Sequence, residues 1–319
     1  MPAKPAASAG AIDTTHTTAT ADARPLSQAT LVALAAYFVT IWGAGFVATR
    51  IALQYAAPFT YIGVRYSIAF AVAVLAFGLR ARWPKDGRQW RHAAVAGLLT
   101  HAGYLGGSHY AQRLGLSAGV TALILALQPL LTALIVSAWL HERLGGLQKL
   151  GVVVGLTGVA LVVGHRIDTG AMSTASLVAI VFSLACVTGG TLYQRQFCAD
   201  LDLRASACIH FAATAAVMLP LAWAVEGFAI EWNSAIGWSL AYHVVLASIG
   251  AFSIFHVLLR HGQATQVTSL LYFTPPVAAL CEWAVFGSPP TLLMWAGMAV
   301  ACVGVALVTR GRPSAPELS

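Results

Sequence analysis

The sequence predicts an all-α integral membrane protein: ten transmembrane helices arranged as two inverted-topology five-helix repeats. Three observations predict it: too few charges to cover a water-soluble surface, ten apolar runs of membrane-crossing length, and a likeness between the two halves of the chain.

Of the 319 residues, 58% are apolar and 9% are charged, against roughly 25% charged in an average soluble domain. A net charge of +7 suggests nucleic acid in a soluble protein. Here the basic residues fall in short loops between apolar runs, which makes them a membrane-orientation signal and leaves no nucleic-acid partner. The five cysteines, Cys186, Cys198, Cys208, Cys281 and Cys302, lie in or beside apolar runs without CxxC spacing, so they read as buried free thiols. No metal-ligand cluster and no cofactor motif is recognised.

A bilayer core of roughly 30 Å takes about 20 mostly apolar residues per helix. Such runs occur near 29–50, 59–79, 92–112, 117–138 and 147–164, and again near 174–195, 205–224, 238–259, 264–286 and 291–309. The resulting organisation is a disordered, Thr/Ala/Pro-rich tail over 1–28, a first repeat over 29–166, a second over 167–310 and a short tail over 311–319. With the amino terminus inside, fourteen Lys and Arg residues fall in cytoplasmic segments and three, Arg50, Arg113 and Arg166, in outer loops. This asymmetry predicts both termini in the cytoplasm, and a bacterial-type inner (plasma) membrane is the expected location.

The internal repeat carries the most information. An offset of 147 places Leu99 on Leu246, Gly103 on Gly250, His109 on His256, Arg113 on Arg260, Gly115 on Gly262, Val120 on Val267, Thr121 on Thr268, Leu123 on Leu270 and Pro129 on Pro276. An offset of 146 aligns Gly43 with Gly189 and Gly158–Val162 with Gly304–Val308. Each half holds an odd number of helices, so the second enters the membrane from the opposite side. That architecture is typical of secondary transporters, whose site lies near the midplane between the halves.

The motifs resemble the drug/metabolite transporter superfamily, and within it the ten-helix EamA-type exporters. Ile41-Trp42-Gly43-Ala44-Gly45-Phe46 is similar to that family's W-G-x-x-F opening, and Arg65-Tyr66 before Ala69 to its R-F/Y-x-x-A. Pro129, then His141-Glu142-Arg143-Leu144 and Gln148-Lys149-Leu150-Gly151, resemble its P-x(n)-L-G-E-x-L-x-x-x-Q-x-x-G. The chain is most similar to the YddG-type amino-acid exporters. The resemblance implies alternating access and small-molecule substrates such as amino acids and related metabolites. Gly287-Ser288-Pro289 stands where many members have a second Gly-Glu, so that glutamate's role does not carry over.

Several residues are candidates for the site. Pro129 and the pair Pro275-Pro276 interrupt helices at matching points and are read as hinges. On the third helix His101, Tyr104 and Ser108 share a face by three- and four-residue spacing, with Ser248 the repeat mate of His101. Trp42, Gln128, Tyr193 and Tyr272 are expected at similar depth, giving an apolar wall with few polar groups. Packing or interfacial belts account equally well for any one of them. Arg65 and Glu282 are the embedded charges, expected at similar depth as an ion pair, an outer gate or substrate contacts. His109 and Arg113 are expected to snorkel to headgroups.

Gly115-Leu116-Ser117-Ala118-Gly119 matches G-x-S-x-G, but it follows a transmembrane helix rather than a strand, so no nucleophile elbow is read. Gly151, Gly155 and Gly158, mirrored by Gly297, Ala301 and Gly304, form small-residue faces for packing on neighbouring helices or, in a homodimer, on a second protomer. The first helix lacks an acidic residue, so facilitated diffusion is expected. Proton-coupled multidrug/metabolite antiport through Glu282 is the alternative, and a membrane-embedded enzyme a lesser one.

Overall fold

The computed structural model describes residues 27–140, 144–170, 172–251 and 271–310. The described chain is helical, and its β pairing is an isolated bridge between Ala56 and Ile230. Helix α1 spans Gln28–Ala52 and α2 Pro58–Phe77. Helix α3 runs over 87–113 and contains a π-helical stretch at Leu98–Gly103. Helix α4 is divided into Ala118–Leu125 and Gln128–Leu140. Helices α5, α6 and α7 are Gly146–Asp168, Thr174–Phe197 and Leu203–Glu226. Helix α8 starts at Ser234–Ala241 and continues as a π-helix over Tyr242–Ala251. Helix α9 opens with a 3-10 turn, Leu271–Phe273, and continues over Thr274–Phe286, and α10 is Leu292–Arg310.

Seven of these helices, α1, α2, α4 to α7 and α10, are long and apolar enough to cross a membrane, while α8 and α9 contain shorter apolar segments. Helix α3 starts earlier than the expected 92 because Asp86 caps a basic first stretch with Arg88 and Arg91. An apolar count passes over that stretch. Similar caps start other helices: Ser27, Ser117, Ser173, Asp202 and Asn233 each accept a hydrogen bond from an amide two or three residues on. Each cap satisfies a donor that the helix itself leaves open. The expected runs at 238–259 and 264–286 lie partly outside the described residues, as do His141, Glu142, Arg143, His256 and Arg260 and the terminal tails over 1–26 and 311–319.

The packing is systematic. Helix α5 lies along α10, α2 along α7 and α4 along α9, while α3 packs on α6 and α1 on α8. Helix α1 also contacts α9, and α4 contacts α6. Each of the last two relationships recurs when five is added to one helix number and taken from the other.

Helices gain little hydrophobic stabilisation against one another in lipid, so close van der Waals approach decides which pairs hold. The α5–α10 seam shows how: a Cβ on Gly158 would stand 2.5 Å from the amide nitrogen of Ala301, and one on Gly151 2.6 Å from the carbonyl of Gly304. The two small-residue stripes thus meet each other within one chain.

Helix α4 is broken just ahead of its proline, and the described part of α9 enters its proline pair from a 3-10 turn. In α4 the helical ladder stops at Leu125 and resumes at Gln128, where Pro129 has no N–H to offer the carbonyl four residues back. In α9 the turn at 271–273 precedes Pro275 and Pro276 in the first helical turn.

Candidate substrate site

Helix α2 is buried along the face bearing Tyr61, Ile62, Arg65, Tyr66 and Ala69, the three- and four-residue spacing of one helix side. Arg65 is only 9% exposed. Among the described residues it pairs with no carboxylate; its guanidinium carbon sits 5.3 Å from the Tyr66 ring centre, within cation–π range. Tyr61 and Tyr66 share its helix face and carry the contacts to α3 and α8.

The tyrosines are fixed by histidines. The Tyr66 hydroxyl lies 3.0 Å from His101 Nδ1, and the Tyr61 hydroxyl 2.7 Å from His243 Nδ1. The His101 ring in turn lies beside His210 and Phe211 of α7, at 5.7 and 5.6 Å between centres. Both nitrogens of His243 face a carbonyl, Ser239 at 2.9 Å and Gly45 at 3.2 Å. Whichever nitrogen carries the proton donates to a carbonyl, and the other accepts from the hydroxyl of Tyr61 or Thr49.

Two of these histidines, His101 and His243, sit on the π-helical stretches of α3 and α8. At the 147-residue offset, 98–103 corresponds to 245–250, inside the second stretch. Isolated π-turns inside α-helices are frequent at functional sites.

Glu282 of α9 is buried and forms its ion pair with Arg50 of α1, not with Arg65. Its second oxygen accepts the Gly119 amide of α4 at 3.0 Å, and the Arg50 guanidinium also covers Phe286 at 4.5 Å. One carboxylate therefore ties α1, α4 and α9. The same end of the bundle is held by Arg113, which donates to the Leu53 carbonyl at 2.8 Å, and by Glu226, which accepts the amides of Phe59 and Thr60 at the start of α2. The expected Arg65–Glu282 pairing is thus replaced: similar depth does not place two side chains on facing sides of their helices. His109 does not snorkel either; it is buried, 6.1 Å from the Tyr61 ring. Arg113 spends its charge on the carbonyl end of α1, where a cation is favoured.

The sequence-predicted residues divide into two groups. His101 and Tyr104 join Arg65. Ser108 is buried and bonds the carbonyl of Leu105 on its own helix, as helical serines commonly do. Trp42 is half-exposed beside Phe38, and Gln128 donates to the Thr191 hydroxyl across α4 and α6 at 3.0 Å. Tyr193 is not at mid-depth: it lies close to the end of α6, 2.7 Å from His92 Nδ1 of α3 and against Phe197. Tyr272 is buried at the α4 break, where it lines a cavity of about 10 Å³ with Ala126, Leu127, Pro275 and Cys302. The side chain of Ser248 lies outside the described residues. Reading from the sequence missed Arg50, His210 and His243; an imidazole inside an apolar run is the signal that marks the last two.

A bundle of membrane-crossing helices around a buried cation, imidazole and phenol cluster defines the class, a multi-pass membrane protein. Its descriptive family is also shown: the chain belongs to the EamA-like transporter family, matched twice, over 29–164 and 174–310. It is therefore a membrane transporter of the drug/metabolite transporter superfamily. Similar proteins include the uncharacterized transporter YvbV of Bacillus subtilis, 24% identical over 86% of this chain and 90% of its own. The uncharacterized inner membrane transporter YedA of Escherichia coli K12 is 27% identical over 85% and 88%. A protein of Streptantibioticus cattleyicolor described as a probable terminal-alkyne amino-acid exporter is 26% identical over 85% and 91%. A crystal structure sharing 20% identity superposes with a TM-score of 0.59 over 89% of this chain and 98% of that one, which establishes a common fold.

Proposed function

We propose that the protein exports neutral amino acids and related small metabolites by alternating access between two inverted five-helix halves, with both termini and the 78–86 loop in the cytoplasm. In this reading the end held by Arg50, Glu282 and Arg113 faces outward. The observation that carries it is the pair of helices α4 and α9, packed on each other, α4 interrupted just ahead of Pro129 and α9 entering its Pro275-Pro276 turn from a 3-10 turn. Paired interruptions in corresponding segments mark the moving, substrate-lined elements of such carriers. The relative described as an amino-acid exporter supports the substrate class.

Facilitated diffusion is favoured over proton antiport because Glu282 is occupied by Arg50 and the Gly119 amide. Uptake of labelled amino acids into proteoliposomes, with and without a pH gradient, tests the reading. Accumulation of leucine or phenylalanine above protein-free vesicles is expected, and failure of every neutral amino acid would refute it.

A further inference from the structure

We infer that Arg65 binds the carboxylate of the transported molecule, and that recognition depends on that carboxylate while the amino group is dispensable. The inference deepens the export reading and rests on it. Burying an unpaired guanidinium is expensive, and proteins ordinarily supply an anion or leave such a group in water. Arg65 has neither: it is 9% exposed, and no acidic side chain among the described residues pairs with it. The segment 252–270, outside the described residues, contains no Asp or Glu. The nearby acids are committed elsewhere, Glu282 to Arg50 and Gly119, and Glu226 to Phe59 and Thr60.

Around the Arg65 face the groups are phenols and imidazoles: Tyr66 lies under the guanidinium and bonds His101, Tyr61 bonds His243, and His109 lies against Tyr61. Further buried nitrogens, His109 Nε2 and His210 Nε2, have no hydrogen-bond partner among the described residues. An anion entering here meets one fixed planar cation, which accepts a carboxylate through two parallel hydrogen bonds, plus imidazoles and phenols able to donate. An ammonium meets no anion, only hydroxyl oxygens and ring faces. His101 and His243 reach the α2 tyrosines from the π-helical stretches of α3 and α8. A doubly charged phosphate is a poorer match, because a single arginine leaves one negative charge buried and uncompensated.

The test uses the full chain in nanodiscs and a matched set of probes: L-phenylalanine, 3-phenylpropionate, phenethylamine and phenyl phosphate. Thermal shift gives binding, and competition against labelled phenylalanine in proteoliposomes gives transport. L-phenylalanine and 3-phenylpropionate should both stabilise and compete, and phenethylamine should do neither. Arg65→Gln should weaken carboxylate binding by at least about thirtyfold, the effect of leaving one member of a buried charge pair alone, with Arg65→Lys in between. Phenethylamine binding as well as phenylalanine, phenyl phosphate binding tightest, Arg65→Gln binding normally, or no carboxylate binding at all would each overturn the proposal. If Arg65→Gln does not fold, the probe series on the wild-type chain decides by itself. Transport of 3-phenylpropionate without any amino acid would leave Arg65 standing and refute amino-acid export; equal transport of phenylalanine and phenethylamine, unchanged in Arg65→Gln, would do the reverse.

Discussion

Glu282 and Arg50, from opposite halves of the chain, form an ion pair with the carboxylate buried and the arginine side chain 34% exposed, and the second carboxylate oxygen is anchored on the Gly119 amide. The contact spans 232 residues of sequence and joins three helices through one side chain. Loss of either partner leaves the other charge poorly compensated in a low-dielectric setting. Arg50→Ala should therefore loosen this end. In a cysteine-free background carrying Ala122→Cys, a buried position one turn below Gly119, labelling by an impermeant thiol reagent from outside should speed up at least about tenfold, the factor that 1.4 kcal/mol represents. Unchanged labelling would show that the pair holds nothing closed.

The same pair bears on energy coupling. Both oxygens of the carboxylate are engaged, one by the Arg50 guanidinium and one by the Gly119 amide, so flux should persist when the pH difference across proteoliposomes is collapsed. Complete loss of flux on collapse, with the same loss in Glu282→Gln, is the outcome that would establish proton coupling.

The α5–α10 seam should be intolerant of added atoms. Gly158→Ala puts a methyl 2.5 Å from the Ala301 amide nitrogen and 2.6 Å from the Gly297 carbonyl, and these are backbone atoms that cannot swing away. Overpacking of this kind costs about 1–3 kcal/mol. A lowered melting temperature in detergent is expected for Gly158→Ala, while Gly164→Ala, with open space around it, should match the wild type.

Pro129→Ala restores an N–H that can bond the Leu125 carbonyl and continue α4 across its break. Expression should hold and flux should fall several-fold, measured as leucine counterflow normalised to protein. Normal flux would assign the break to packing alone.

Much of the fold was legible because membrane helices need long apolar runs, and that requirement marked α1, α2 and α4 to α7 to within a few residues. The interruption at Pro129 was legible for a similarly local reason: a missing N–H acts on its own helix. Partner choice was not. The Arg65–Glu282 expectation used depth, which a linear sequence encodes, whereas pairing also needs the direction each side chain takes around its helix. Arg50 was set aside as a loop residue because the apolar run ended beside it, yet α1 continues to Ala52. The π-helical stretches left no trace either, since Leu-Leu-Thr-His-Ala-Gly reads as ordinary helix.

Those stretches also change what the length of α3 means. A π turn accommodates one residue more than an α turn would, and each residue of a regular helix advances about 100° around the axis. Removing one residue from 98–103 would therefore let the stretch relax toward regular helix and leave everything beyond, including His109 and Arg113, facing α2 and the end of α1, whereas adding one would swing those residues about a quarter-turn away. In this helix residue number has slack in one direction: a single deletion within the stretch can be absorbed, whereas an insertion there displaces two contact faces at once.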